Sequence, residues 1–326
     1  MARRFETGCL PLTREQKSDL AAVVALAPSI ADYSWTIQGD MPILKWDTAF
    51  NERLEERSEL REKYERAGYS LYPWDILGVL PAAAKGSGLY CWNQGPLPSC
   101  SMTGAAHAYQ SAELVSIALG APLRYEAFNP VYPFYFAKHG SLAGGLTLYE
   151  TAEYCNLEGF LPVSIVGDDN THVDRDNFQY RGEGKKWQSG VVYIEGDLVE
   201  NIVSACRGLY SVCFGSGCYY TDSAKDSRGV KVMTGRSFGG HAQCFTGYKN
   251  VDGEEYVFNL NSHGDIYTAA EDGTPYSGAW VTRRHLEVYA RDMENYGLPF
   301  IALPEGEFRR EDALANDFVL PKLRKA

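Results

Sequence analysis

What most constrains the fold of this chain is Asn93-Gln94-Gly95-Pro96-Leu97-Pro98-Ser99-Cys100. This Gly- and Pro-punctuated loop runs directly into a long helical pattern. From Cys100 onward, Met102, Ala105, Ala106, Tyr109, Ala112 and Leu114 or Val115 recur at helical spacing, and Gly120 stops the run. Ser99 occupies the N-cap position. Cys100 then falls in the first turn, where the positive end of the macrodipole stabilises an anion and draws a thiol toward its reactive thiolate form. Taken alone, the stretch fits a reactive thiol and a small buried cysteine at a helix start equally well.

Around that element, 326 residues suffice for one large domain or two ordinary ones with a substantial core. Thirty-one Lys+Arg against 42 Asp+Glu leave a net charge of -11, which opposes a nucleic-acid-binding surface because phosphate contacts need clustered cations. No apolar run is long enough for a transmembrane helix, so no membrane role is expected. The opening residues lack the apolar core of a secretory signal, and a cytoplasmic location is expected. None of the eight cysteines forms a C-x-x-C pair, so a structural zinc site is not expected. The acidic stretch within 167–190 does not match an EF-hand, and no cofactor is expected.

Residues 1–80 read as an appendage. Helices are expected at 13–27 and 49–67, the second a charged helix laced with i,i+4 ion pairs and resting on the domain. Trp35, Ile43, Leu44, Trp46 and Phe50 are too apolar for a free tail. Residues 69–87 read as extended. Further helices are expected from Thr147 to about Leu157 and from Asp197 to Arg207, separated by a polar loop over 167–190. Strands then follow at 209–214, 231–234, 242–248, 255–260 and 278–282, with Asn250-Val-Asp-Gly253 a hairpin signal. A helical half followed by a strand-rich half is an α+β arrangement, and the cleft between the halves is a natural place for a site.

A nucleophilic thiol needs a base, and the base needs a group that holds its tautomer. Of six histidines, His107 lies within the Cys100 helix as a core or surface residue, and His139, His172 and His285 have nothing around them to orient a ring. His241 differs. It opens a strand behind Gly239 and Gly240, which permit close approach of another backbone. Twenty residues on, Asn261 closes the next strand, so a hairpin makes the two neighbours and lets Asn261 Oδ1 accept from the ring.

These residues carry a resemblance to the papain-like cysteine peptidases. Gln94-Gly-Pro-Leu-Pro-Ser-Cys100 resembles their active-site loop. Gly239-Gly-His241-Ala-Gln-Cys-Phe-Thr-Gly247-Tyr248 resembles their histidine strand, and Asn261-Ser262-His263-Gly264 their Asn-Ser-Trp-Gly. Gly144-Gly145 before a helix resembles their substrate-binding glycine pair, and Arg207-Gly-Leu-Tyr-Ser-Val212 the strand that follows the last helix of the left domain. All five occur in the family's order. The resemblance implies a two-lobed fold, with a helical left lobe and a β-barrel-like right lobe over residues 81–305. An N-terminal extension (1–80) packs on this core, and a tail (306–326) follows it. It also implies a peptidase in which Cys100 is the nucleophile, His241 its proton partner, Asn261 the orienting group and Gln94 an oxyanion donor. Gly144, Gly145, Thr147, Gly240 and His263 would line the substrate cleft, and a peptide or protein would be the substrate.

The departures are specific. Around the cysteine the family signature is C-G-[SA]-C-[WY], whereas this chain has Pro98 for a glycine and Ser101 for an aromatic. His263 replaces a tryptophan that shields the Asn–His contact, which implies a wetter and weaker contact here. Thr147 replaces a proline near the specificity pocket. A disulfide common in the family would join positions 97 and 142, and both are leucine. That implies an apolar contact in place of a covalent staple, as suits a reducing compartment. Two other classes stay open. One is a phage or bacterial cell-wall amidase or endopeptidase of related fold. The other is a papain-like structural or virion-associated module that uses residues 1–80 to meet an assembly partner.

Overall fold

The computed structural model describes residues 9–11, 36–38, 41–44, 48–66, 72–80, 88–118, 125–263 and 277–304. The helix expected over 13–27 and the tail after residue 305 lie outside them. Strands β1 (Thr36–Gln38) and β2 (Met41–Leu44) precede helix α1 (Thr48–Arg66). The outer face of α1 is charged, but its inner face is anchored. Arg61 is buried and donates to Cys206 O at 3.2 Å and to Tyr248 O. Leu54 joins the apolar cluster below.

The extended reading of 69–87 is corrected by helix α2 (Pro73–Val79). Pro73 starts it, because the fixed φ of proline suits a first turn whose N–H would be unpaired anyway. Helix α3 (Cys100–Ala118) is the expected cysteine helix, and every residue in it except Ile117 is buried. It lies wedged between the two halves of the chain. A side chain at Gly104 would come within 3.0 Å of Gln243 O and 3.2 Å of Cys213 Sγ, so only glycine allows this approach to the sheet. Ser99 does not cap the helix through its hydroxyl, which has no hydrogen-bond partner among the described residues. Only its carbonyl serves the first turn, accepting from Thr103 N at 2.9 Å.

The helical half continues through β3 (Phe128–Asn129), α4 (Val131–Ala137), α5 (Leu148–Leu157), β4 (Leu161–Pro162) and α6 (Val163–Val166). Leu97 and Leu142 both pack against its small cluster of Val131, Tyr132 and Phe136. The polar stretch expected as loop contains a 3-10 helix, Arg175–Trp187, and runs into strand β5 (Ser189–Tyr193). All five β5 residues are buried. Helix α7 (Leu198–Arg207) follows, with Asp197 Oδ1 accepting from Glu200 N at 3.1 Å as its cap.

The second half holds β6 (Val212–Lys225), β7 (Lys231–Val251), β8 (Glu254–Leu260), β9 (Gly278–Thr282), helix α8 (Arg283–Tyr296) and β10 (Phe300–Pro304). The two strands expected at 231–234 and 242–248 are one long strand, β7. The hairpin after it turns at Asp252 (φ 51°) and Gly253 (φ 81°), the left-handed pair that a two-residue hairpin loop favours. The sheet runs in the order β1-β2-β5-β10-β6-β7-β8-β9, and an extra β7–β9 pairing curls its right-hand end. Its pairs are antiparallel except β2–β5 and β7–β9. The apolar face of this sheet is sealed by α8 and α7. Phe214 and Phe245 stack there at 3.9 Å, a ring pair worth about 0.5–1.5 kcal/mol beyond burial. The α+β expectation therefore holds, with a sheet that also takes in strands from the N-terminal region.

Candidate active site

Helix α3 fixes the site from both of its faces. Its N-terminus presents Cys100, which is fully buried. Two turns farther in, His107 Nε2 accepts from Trp92 N at 2.9 Å, and a turn beyond it Gln110 Oε1 accepts from Trp92 Nε1 at 3.0 Å. These bonds pin residues 90–92 and with them the loop that carries Gln94. Burial holds His107 down to about 3, so it stays neutral and can accept. His107 is thus a structural residue that positions the loop.

Gln94 is tied to the opposite strand end. Its backbone N–H donates to Ser262 O at 2.8 Å, and Asn93 bridges to His263. Gln94 Oε1 accepts from Ser262 Oγ, and Nε2 donates to Leu97 O at 2.7 Å. An amide nitrogen carries two hydrogens, so one remains available.

His241 lies on β7, and the residue after it, Ala242, donates its N–H to Cys100 Sγ at 3.4 Å. The His241 ring meets Asn261, with Nε2 2.8 Å from Oδ1. That oxygen also accepts from Ser262 N at 2.7 Å, which fixes the amide as acceptor. Nε2 must therefore donate, and Nδ1 keeps the lone pair. No described residue bonds to Nδ1. Burial lowers the affinity of the ring for a proton to about 4, against the opposing pull of Asn261.

His263 is buried and stacks face to face on His241, and Tyr219 meets both rings at 5.0 and 5.7 Å. The contact expected to be wet is dry. Burial, then the neighbouring His241, push His263 down to about 2.

The structure thus brings Gln94, Cys100, His241, Asn261 and His263 together. Gly240 precedes His241 on β7. Gly144 and Gly145 lie in the turn before α5. Thr147 is the cap of α5, with its hydroxyl engaged both ways by Glu150. His139 and His172 are exposed, and His285 serves the first turn of α8.

Two participants escaped the sequence reading. Ser262 sits in a motif that was read, yet its side-chain bond to Gln94 spans 168 residues and leaves no local signal. Cys9 is the other. It is buried, and it forms a parallel bridge to Leu146, with Leu10 N donating to Leu146 O at 3.1 Å. Among the described residues no cluster of three His, Cys, Asp or Glu side chains could hold a metal ion, and no helix is long and apolar enough to cross a membrane.

No family model matches the chain, and no curated protein matches it. Solved structures do. Xylellain, a cysteine protease from Xylella fastidiosa, superposes with a TM-score of 0.50 at 12% identity, covering 93% of this chain and 98% of that one. Procathepsin B S9 from Trypanosoma congolense gives 0.48 at 12% identity over 90% of this chain and 99% of that one. Bromelain from Ananas comosus gives 0.47 at 14% identity over 71% and 97%. The similarity to xylellain, nearly end to end in both chains, places this chain in the papain-like fold.

Proposed function

We propose that the chain is a thiol peptidase that hydrolyses peptide bonds through Cys100 and His241. The observation that carries this reading is the bond from His241 Nε2 to Asn261 Oδ1, which leaves Nδ1 as the ring's acceptor beside a cysteine at a helix N-terminus. In a dry cleft neither a lone thiolate nor a lone imidazolium is stable, so the two form together by proton transfer from Sγ to Nδ1. The thiolate attacks the scissile carbonyl, and the charge moves to the carbonyl oxygen. The Cys100 N–H, in the first turn of α3, and the second hydrogen of Gln94 Nε2 act as the donors that stabilise that oxygen. His241 then gives its proton to the leaving amine, and water, deprotonated by the same ring, releases the acyl group. Asn261 keeps the ring in the tautomer both steps need. Gly145 and Gly240 offer backbone groups on either side of the cleft, as β-type peptide binding requires.

The test is direct. The reduced protein should be labelled at Cys100 by an epoxide thiol probe and should cleave fluorogenic peptides. Cleavage of peptidoglycan but not peptides would move the assignment to a cell-wall hydrolase. No labelling and no cleavage would leave a structural module.

A further inference from the structure

Cys9 lies against the two strands, β6 and β7, beside the site. Its Sγ is 2.8 Å from where a Cβ on Gly215 would stand, and its carbonyl oxygen 2.2 Å from where a Cβ on Gly240 would stand. Both contacts exist only because those positions are glycine. Gly215 is the register partner of Ala242, and Ala242 N is the group hydrogen-bonded to Cys100 Sγ. Facing residues of an antiparallel pair have Cα atoms about 4.5–5.5 Å apart, so the residues that the two sulfurs meet stand directly across the β6–β7 pair from each other. Burial, then the nearby Cys100, raise the Cys9 thiol well above its ordinary range, as expected for two thiols that would repel if both ionised. Residues 9–11 are held by the bridge to Leu146 and by the burial of Cys9 in the core, while Leu10 is 41% exposed.

We propose that Cys9 is the resolving thiol of Cys100, so that a peroxide converts the pair to a Cys9–Cys100 disulfide that ties residues 9–11 covalently to the nucleophile. The Cys100 thiolate attacks one peroxide oxygen. The O–O bond breaks, the alkoxide or hydroxide leaves and takes up a proton, and Cys100 becomes a sulfenic acid. Cys9 then loses its proton and attacks the sulfenyl sulfur. The S–S bond forms, the S–O bond breaks, and the departing hydroxide takes that proton as water. In sum, two thiols and one peroxide give one disulfide, one alcohol or water, and one further water. A dithiol reductant reverses the lock by exchange. The lock also limits over-oxidation, because a sulfenic acid that finds no thiol proceeds to sulfinic acid, which is not recovered by simple thiols.

This inference rests on the peptidase reading only for the reactivity of Cys100, and its readout is a cross-link rather than turnover. The full-length protein is reduced, treated with stoichiometric hydrogen peroxide, capped with N-ethylmaleimide and digested without reductant. The expected result is a Cys9–Cys100 linked peptide, loss of epoxide labelling at Cys100, and recovery of that labelling with dithiothreitol. Cys9→Ser should abolish the linked peptide and, under excess peroxide, carry Cys100 on to sulfinic acid, so that dithiothreitol no longer restores labelling. Oxidation of Cys100 with Cys9 still capped by maleimide would overturn the proposal. So would a link from Cys9 to Cys213, the thiol two residues before Gly215. If the link forms but the reduced protein cleaves no peptide, the latch stands and the peptidase reading falls.

Discussion

His263 lies face to face with His241, ring centroids 4.3 Å apart and planes 23° apart. Two positive charges that close would repel by about 4 kcal/mol at an effective dielectric of about 20. At most one ring is therefore charged, and the lower proton affinity of His263 makes it the neutral one. A neutral ring over an imidazolium acts as a cation–π partner, for which indole is better than imidazole. His263→Trp should thus stabilise protonated His241 by about 0.5–1 kcal/mol, about half a pKa unit. The alkaline limb of the kcat/KM profile, where the imidazolium is lost, should move up by that amount. An unmoved or lowered limb in a well-folded variant would refute this role for the ring.

The cysteine, histidine, glutamine and asparagine differ in what they do, so their variants should differ in size of effect. Cys100→Ala and His241→Ala should abolish turnover. Gln94→Ala should lower kcat by about 10²–10³ as the loss of one oxyanion donor. Asn261→Ala should cost less, because it only orients the ring. Ser262→Ala frees the Gln94 amide without removing it, so it should lower kcat by less than Gln94→Ala and leave KM nearly unchanged. Steady-state kinetics on one fluorogenic peptide ranks all five, and full activity in Cys100→Ala would end the peptidase reading.

Much of this geometry was legible in the chain because its signals are local. The helix at Cys100 announces itself by period, the hairpin by Asp252-Gly253, and the His241–Asn261 pairing by two strands joined through that turn. What was not legible is long-range. Strand β10 is a five-residue apolar run with no flanking pattern, and only pairing with β5 and β6 makes it a strand. Ser189 and Gly190 of β5 fell at the end of the polar stretch over 167–190, whose composition pointed to loop, and the remaining three residues are too short a run to announce a strand. Cys9 gave no signal either, since its place is set by glycines more than 200 positions away that leave room for it.

Gly240 controls whether Cys9 can sit where it does. A methyl at this position would stand 2.2 Å from Cys9 O and 2.9 Å from Tyr296 Cε1. The Tyr296 contact is a side chain that can give, whereas the first contact is backbone held by the bridge to Leu146. Gly240→Ala should therefore displace residues 9–11 and expose Cys100. Alkylation of Cys100 by iodoacetamide in the reduced, full-length variant should run faster than in the wild type. An unchanged rate, with an unchanged circular dichroism spectrum, would mean that the segment does not shield the thiol.

Stability should pass through a maximum a little above pH 6.5, for reasons that can be separated. His107, His241 and His263 are held at about 3, 4 and 2 by burial, below the ordinary 6.5. The unfolded chain therefore binds more protons than the native one between those values and 6.5. Their contribution is complete above pH 6.5 and is lost as pH falls through this window. Glu113 acts in the opposite sense. Burial, outweighing its bond from Glu126 N at 3.0 Å, raises it from 4.5 to about 8. Here the native state holds the extra proton, so stability falls as pH rises from 4.5 through 8. Three histidines outweigh one glutamate below about pH 6.5, and the glutamate dominates above it. Each proton contributes a slope of about 1.4 kcal/mol per pH unit. Urea unfolding from pH 4 to 9 should rise, peak and then decline. Glu113→Gln keeps the acceptor for Glu126 N without the charge, and should remove the decline between pH 6.5 and 8 and steepen the rise between pH 4.5 and 6.5. The same decline in the variant would mean that another group holds that proton.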